Sequence, residues 1–253
     1  MNSNISLLAT GNREASEAMQ VYTDSMTTAF QLIASMDADL FEILWLSIRV
    51  SFSSLFLSCI IGLPLGAVLA INRFPGRGPI LAVTNALMGL PPVVVGLLVY
   101  LHLSRSGPFG WLGLLYTPTA MIIAQMVLIT PIIIALACQI LEDLHEDYRD
   151  LFTALVVPQH KALLAYITDA RYALLTVVLA GFGRAISEVG AVIIVGGNID
   201  NLTRVMTTTI ALETSKGDLP LALALGAILL AMALAVNLLA SWLKSSANRR
   251  AYV

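Results

Sequence analysis

The sequence predicts an all-α membrane protein with five spans, and two observations carry that prediction: how little charge the chain holds, and where that charge falls. Of 253 residues, 58% are apolar and only 12% are charged, about half the roughly 25% of an ordinary soluble domain. A water-exposed fold of this size could not cover its surface with so few charges. The charge is also segregated, leaving uncharged runs at Val50–Asn72 (23 residues), Gly78–Ser104 (27), Ser106–Leu141 (36) and Leu219–Leu243 (25). Each exceeds the ~18–20 residues that cross a bilayer core as a helix. A fifth apolar stretch, Tyr172–Ile199, has only Arg184 and Glu188 as charges, and reads as a span with an ionisable pair inside.

In chain order, residues 1–42 read as an extracytoplasmic tail. Within it Met26–Leu44 is weakly amphipathic, with Phe30, Ile33, Leu40 and Leu44 near one face, which suits the membrane interface. The first 25 residues read equally well as a plain disordered tail. The membrane-spanning body occupies 43–243. Its first span, about Ile43–Ile71, stops at Arg73-Phe74-Pro75-Gly76-Arg77-Gly78-Pro79, where Pro and Gly break the helix and leave a tight basic connector. The second span runs about Ile80–Leu103, and a Gly/Pro/aromatic loop separates it from the third, about Thr119–Leu141. A polar, largely helical segment, 142–171, precedes the fourth span at about Tyr172–Gly196. A loop carries Gly197–Asp218, the fifth span is about Leu219–Leu243, and 244–253 form a cytoplasmic tail.

Basic loops stay in the cytoplasm, so counting Lys and Arg sets the orientation. Arg73, Arg77, Arg149, Lys161, Arg171, Lys244, Arg249 and Arg250 put eight on one side, against four, Arg13, Arg105, Arg204 and Lys216, on the other. The expectation is a multi-pass protein of the cell (inner) membrane, with the N-terminus outside and the C-terminus inside. No charged leader is evident in the first ten residues, so the first span is expected to do the targeting. The net charge of −2 without basic clusters gives no reason to expect a nucleic-acid partner.

Helices in lipid gain no hydrophobic drive toward each other and need small residues for close approach. Gly62 and Gly66, and Ala224, Ala227, Ala231 and Ala235, supply them as packing signals. Prolines within spans are more informative: Pro64, the pair Pro91-Pro92 between Gly89 and Gly96, and Pro131 after Thr130. Each removes a backbone hydrogen bond, tolerable where the freed carbonyl faces protein or a water-filled path. Two adjacent prolines flanked by glycines point to a bent, path-facing segment, with an ordinary packing kink as the alternative.

Catalytic motifs do not emerge. The lysines Lys161, Lys216 and Lys244 follow His160, Ser215 and Leu243, so none completes a phosphate-binding Gly-Lys-Ser/Thr loop. His102, His145 and His160 lack metal-ligand spacing, and Cys59 and Cys138 lie in apolar runs as small hydrophobes. The chain is therefore expected to bind no cofactor or metal and to catalyse nothing alone. Transport remains. Arg184 and Glu188 stand four apart on one helical face and can neutralise each other, either as part of a path or hinge, or as a pair closing a helix interface. The segment 142–168 is too apolar for a solvated loop. Broken at Pro158, it would present Leu151, Phe152 and Leu155 to a cytoplasmic partner or back onto the bundle.

The basic Arg-Phe-Pro-Gly-Arg connector, Leu90-Pro91-Pro92-Val93-Val94-Val95-Gly96, Ala124-Gln125 with Thr130-Pro131, the cytoplasmic segment, and Gly183-Arg184-Ala185-Ile186-Ser187-Glu188-Val189-Gly190-Ala191 occur in an order that resembles the permease subunit of molybdate/tungstate-type ABC importers over about residues 43–243. Gly196-Gly197-Asn198-Ile199, Thr203–Thr208 and Ala211–Asp218 resemble the tungstate branch. The resemblance implies a five-span type I importer permease with a cytoplasmic coupling-helix segment. It implies a homodimer with the path on its two-fold axis, two ATP-binding subunits that hold ATP-Mg, an extracytoplasmic oxyanion-binding protein and a lipid surround. The coupling loop would be Asp150, Leu151, Phe152, Thr153, Ala154, Leu155, Val156, Val157 and Pro158, with Asp150 at the family's acidic position. Leu151 and Phe152 replace its alanines, and Val156 its glycine. Candidates for the path or gate are Pro91, Pro92, Gly96, Thr130, Arg184, Glu188, Gly190, Asn198, Thr203 and Thr207. A molybdate or sulfate permease is the nearest alternative. An ATP-independent secondary transporter, which would not need the long cytoplasmic segment, and a membrane scaffold, which would not explain the paired prolines, are more distant.

Overall fold

A computed structural model describes residues 19–20, 23–35 and 38–251, with the side chains of 159–160 and 243–251 outside the description. The first 18 residues, with Arg13, Glu14 and Glu17, lie outside the described residues. Among those described the chain is helical: α1 (23–35), α2 (Ala38–Ile71), α3 (Arg77–Met88), α4 (Pro92–Leu103), α5 (Pro118–Ala154), α6 (Gln159–Ile186), α7 (Gly190–Gly196), α8 (Met206–Lys216) and α9 (Leu219–Ala251), with a single 3-10 turn at Gly110–Leu112.

Four helices, α2, α5, α6 and α9, are long and apolar enough to cross a membrane. The span expected at Ile80–Leu103 is two helices, α3 and α4, which meet at 103° where the paired prolines point to a bend. Its cause is local. A residue before proline is driven out of the α region, so both Leu90 and Pro91 must leave the helix, and Pro91 is extended at φ −62°, ψ 124°. Pro92 then opens α4 at its first turn, where a missing N–H costs nothing. By contrast Pro64 and Pro131 sit inside α2 and α5 without ending them.

The centre of the bundle is α5, which packs against α2, α3, α4, α6 and α7. Its tightest seam is with α2. A Cβ on Gly66 would lie 2.9 Å from both Ala137 Cβ and Ile134 O, and one on Gly62 would lie 2.8 Å from Ile133 Cγ2. The glycines therefore set the distance between two helices that have no hydrophobic drive toward each other in lipid and depend on close packing.

Three further boundaries depart from the sequence reading. Instead of ending at Leu141, α5 runs on to Ala154, and α6 starts at Gln159, so 142–171 is two projecting helix ends around a four-residue elbow. No breaker occurs in 142–155 to stop α5 sooner. The fourth span ends at Ile186 rather than Gly196, and α7 is a separate short helix. Within the loop expected at 197–218 lies α8. At the other end, Ala29 of α1 packs with Leu40 and Ile43 of α2, Met206 of α8 and Leu225 of α9, while Phe30 is exposed. Leu40 and Leu44 lie in the first long helix.

Candidate functional site

Two helix breaks pack against each other at the heart of the molecule. One is the α3–α4 bend. The other, Ser187–Val189 between α6 and α7, contains neither glycine nor proline, and hydrogen bonds make it. Ser187 Oγ donates to Gly183 O (2.9 Å) and Arg184 O (3.2 Å), local bonds that compete with helix continuation. Glu188 Oε1 accepts from Ala191 N–H at 3.1 Å, and the main-chain oxygen of Glu188 accepts from Thr207 Oγ1 at 2.9 Å. The break is therefore satisfied from both sides. Across it, a Cβ on Gly190 would lie 3.0 Å from Val93 Cγ2 and 3.5 Å from Pro92 Cβ, and one on Gly96 only 2.8 Å from Ala191 Cα. Thus Pro92, Gly96 and Gly190 form the α4–α7 contact.

Arg184 Nη1 stands 2.7 Å from Glu188 Oε2, at ion-pair distance without an aligned hydrogen bond on that oxygen. The pair is asymmetric: the Glu188 side chain is 2% exposed and that of Arg184 is 34%. Burying a lone carboxylate is prohibitive, and the guanidinium together with the Ala191 N–H make Glu188 tolerable. Arg184 keeps an open side, and a cation facing hydrocarbon there would be costly.

A second set of polar groups ties this break to α2 and α5. Gln125, buried in α5, donates through Nε2 to Ala185 O (3.0 Å) and accepts through Oε1 from Ser54 Oγ (2.7 Å). Ser47 Oγ accepts from Met206 N–H at 2.8 Å, so a serine of α2 caps α8. Ser47, Ser51, Gln125, Glu188 and Thr207 border a cavity with room for about one water molecule. Sequence reasoning did not single out Gln125 or the serines as site residues. The signal was present: Ser47, Ser51, Ser54 and Ser58 recur at helical spacing along one face of an otherwise apolar span.

The remaining candidates fall elsewhere. Thr130 is half-buried in α5, with its carbonyl 3.4 Å from the place of a Gly62 Cβ. Thr203 is buried and donates to Gly196 O (2.6 Å) while accepting from Ile199 N–H (2.9 Å). Asn198, at φ 50°, accepts from Thr208 Oγ1 at 2.8 Å. Asparagine tolerates this left-handed backbone better than most side chains. Both hold the 197–205 loop together.

Of the coupling candidates, Asp150, Leu151, Phe152, Thr153 and Ala154 close α5, Leu155, Val156 and Val157 form the elbow, and Pro158 precedes α6. Phe152 turns back to the bundle, its ring centroid 5.5 Å from those of both Tyr148 and Tyr166. Leu151, Leu155 and Val156 point outward, 51%, 64% and 85% exposed. Bonds from Val157 N–H to Phe152 O (3.0 Å) and from Val156 N–H to Thr153 O (3.2 Å) make a Schellman ending with Val156 at φ 51°. The same ending closes α8, where Gly217 takes the left-handed position at φ 85° and Asp218 N–H reaches Glu213 O at 2.9 Å.

A family model described as the binding-protein-dependent transport system inner membrane component matches residues 62–251. The chain is 42% identical over 198 residues to a probable anion ABC transporter permease protein of Haloferax volcanii, covering 76% of this chain and 85% of that one. It is 38% identical over 219 residues to the tungstate uptake system permease protein TupB of Peptoclostridium acidaminophilum, covering 87% and 96%. Similarity to the sulfate transport system permease protein CysT of Escherichia coli is 28% over 213 residues, covering 80% and 77%.

Proposed function

Because the chain belongs to the family of inner membrane components of binding-protein-dependent transport systems, and is thus a non-catalytic, multi-pass ABC transporter permease, we propose that it forms the membrane path of an ATP-driven tungstate importer. The observation that carries the substrate is the 38% identity to a tungstate permease along nearly the whole of both chains, against 28% to a sulfate permease. Two copies of the chain enclose the path, two ATP-binding subunits dock from the cytoplasm at the α5–α6 elbow, and an extracytoplasmic protein delivers the anion. This reading puts the N-terminus outside and the C-terminus inside, supported by the eight-to-four division of basic residues.

The physics of the cargo supports this reading. A tetrahedral dianion cannot cross hydrocarbon bare, so it needs a hydrated route that opens to one side at a time. Packed helix breaks such as those at Pro91 and Glu188 let helices swing without unfolding. The test is uptake by cells lacking this gene at limiting oxyanion. Loss of tungstate accumulation, restored by the gene in trans, is expected. Loss of molybdate or sulfate uptake with tungstate unchanged refutes the substrate. Impermeant maleimide on intact cells should label a cysteine at Ser16 and not one at Ser246, and the reverse pattern refutes the orientation.

A further inference from the structure

Two grooves of about 480 Å³ flank α5 around Leu141 and Glu142, and their linings differ in kind. The groove between α2 and α6 is walled by Leu63, Val68, Leu163, Ile167 and Leu174. The Asn72 amide at its end is already bonded to Val68 O at 3.0 Å. Such a surface suits a lipid chain. The groove between α3 and α5 instead receives Asn85 from one wall and Gln139 from the other. Both are exposed, and neither amide has a hydrogen-bond partner among the described residues.

Two free amides opposite each other on helices this apolar are not neutral decoration. An amide facing hydrocarbon loses its hydrogen bonds to water and regains none. Polar membrane positions therefore face water or protein. Asn85 lies eight residues inside Arg77, about 12 Å along the helix at 1.5 Å per residue, well beyond the ionic rim. That rim is braced: Arg77 pairs with Glu142 at 2.7 Å and donates through Nε to Leu69 O at 2.7 Å, and Arg73 lies 3.5 Å from Glu146. These contacts fix one end of α3 against α5 and α2 while the groove beyond them stays open.

We propose that the α3–α5 groove is the water-filled inner vestibule through which the oxyanion leaves toward the cytoplasm, with Asn85 and Gln139 as its neutral hydrogen-bond donors. The assignment rests on the importer reading above and places the exit away from the Arg184–Glu188 pair. Neutral amides suit an exit: they replace part of the hydration shell of a dianion without the charge that would retain it. At the mouth both arginines are paired and Asp143 is exposed, and no cation lines the groove itself, so nothing in its wall draws a released anion back.

The test uses the assembled importer in inverted membrane vesicles, in a Cys59→Ala/Cys138→Ala background. Asn85→Cys and Gln139→Cys should react with a small water-soluble methanethiosulfonate at least tenfold faster than Val83→Cys, an exposed α3 position off the groove. Asn85→Leu with Gln139→Leu should lower uptake at least fivefold while the complex still co-purifies. Asn85→Gln with Gln139→Asn should recover most of it. Labelling of 85 and 139 no faster than 83 overturns the vestibule. If 85 and 139 label rapidly but the importer moves molybdate or sulfate in place of tungstate, the vestibule stands and only the substrate assignment falls.

Discussion

Thr207 donates a 2.9 Å hydrogen bond to the main-chain oxygen of Glu188, the residue whose carboxylate meets Arg184. The start of α8 is thereby fastened to the break that separates α6 from α7. Thr207→Val keeps the shape and removes the donor, leaving a buried carbonyl without a partner. It should destabilise the detergent-solubilised protein by about 1–2 kcal/mol, read as a lower unfolding midpoint, and Thr207→Ser should restore most of that loss. Equal stability in the valine variant would show that the bond contributes nothing.

Arg184 and Glu188 should depend on one another. Glu188→Gln keeps an acceptor for Ala191 N–H but strands the guanidinium. Breaking a buried pair typically costs ~3–5 kcal/mol, and because Arg184 is about one-third open the loss should be nearer 2–3 kcal/mol. Adding Arg184→Gln should recover assembly. If the charges also shape the path or hinge, the double variant will assemble, bind its ATPase and still import poorly. Additive effects on assembly and uptake in a double-mutant cycle would mean that the two side chains do not interact.

Phe152 and Leu155 separate docking from folding at the elbow. Phe152 is stacked within the Tyr148–Tyr166 cluster, so Phe152→Asp should lower stability whether or not a partner binds. Leu155 is 64% exposed, so Leu155→Asp should leave the protein's own unfolding midpoint within about 0.5 kcal/mol of the parent. It should nevertheless release the ATP-binding subunit in pull-down. Retention of that subunit with full coupled transport would remove the elbow from the docking surface.

Val156 occupies a backbone conformation that Gly217 adopts without strain in the equivalent turn. A left-handed L-residue costs roughly 1–2 kcal/mol, offset in part by the greater chain entropy that glycine brings to the unfolded state. Val156→Gly should therefore raise stability by about 0.5–1 kcal/mol, whereas Gly217→Val should lower it by at least as much. A destabilised Val156→Gly would mean that the exposed valine makes contacts worth more than its strain.

What could be read in advance follows the range of each cause. Spans were legible because charge exclusion acts over twenty residues and needs no partner, and the bend at Pro91 because two consecutive prolines impose it locally. The interruption at Ser187 was not legible. Its hydrogen bonds come from Thr207, nineteen residues away, and from side chains with other options. Gln125 was hidden for the same reason: one amide in an apolar run looks incidental until Ser54 and Ala185 are seen to satisfy both its ends. The elbow was legible from Pro158, whereas the uninterrupted run of α5 past Leu141 was not, since the turn from apolar to charged residues at 142 ends a span without stopping a helix.

The bend between α3 and α4 has a consequence for how the chain is made. At 12 residues each, the two pieces reach only about 18 Å, short of the ~30 Å hydrocarbon core, so neither is released into lipid as an independent crossing. They must wait beside the translocon until α5, which contacts both, has been synthesised. Arrested nascent chains should accordingly feel one strong insertion pull as α5 emerges and only a weak one at α4. Membrane entry of the middle of this protein is thus a three-helix event timed by the ribosome's arrival at Pro118 and beyond.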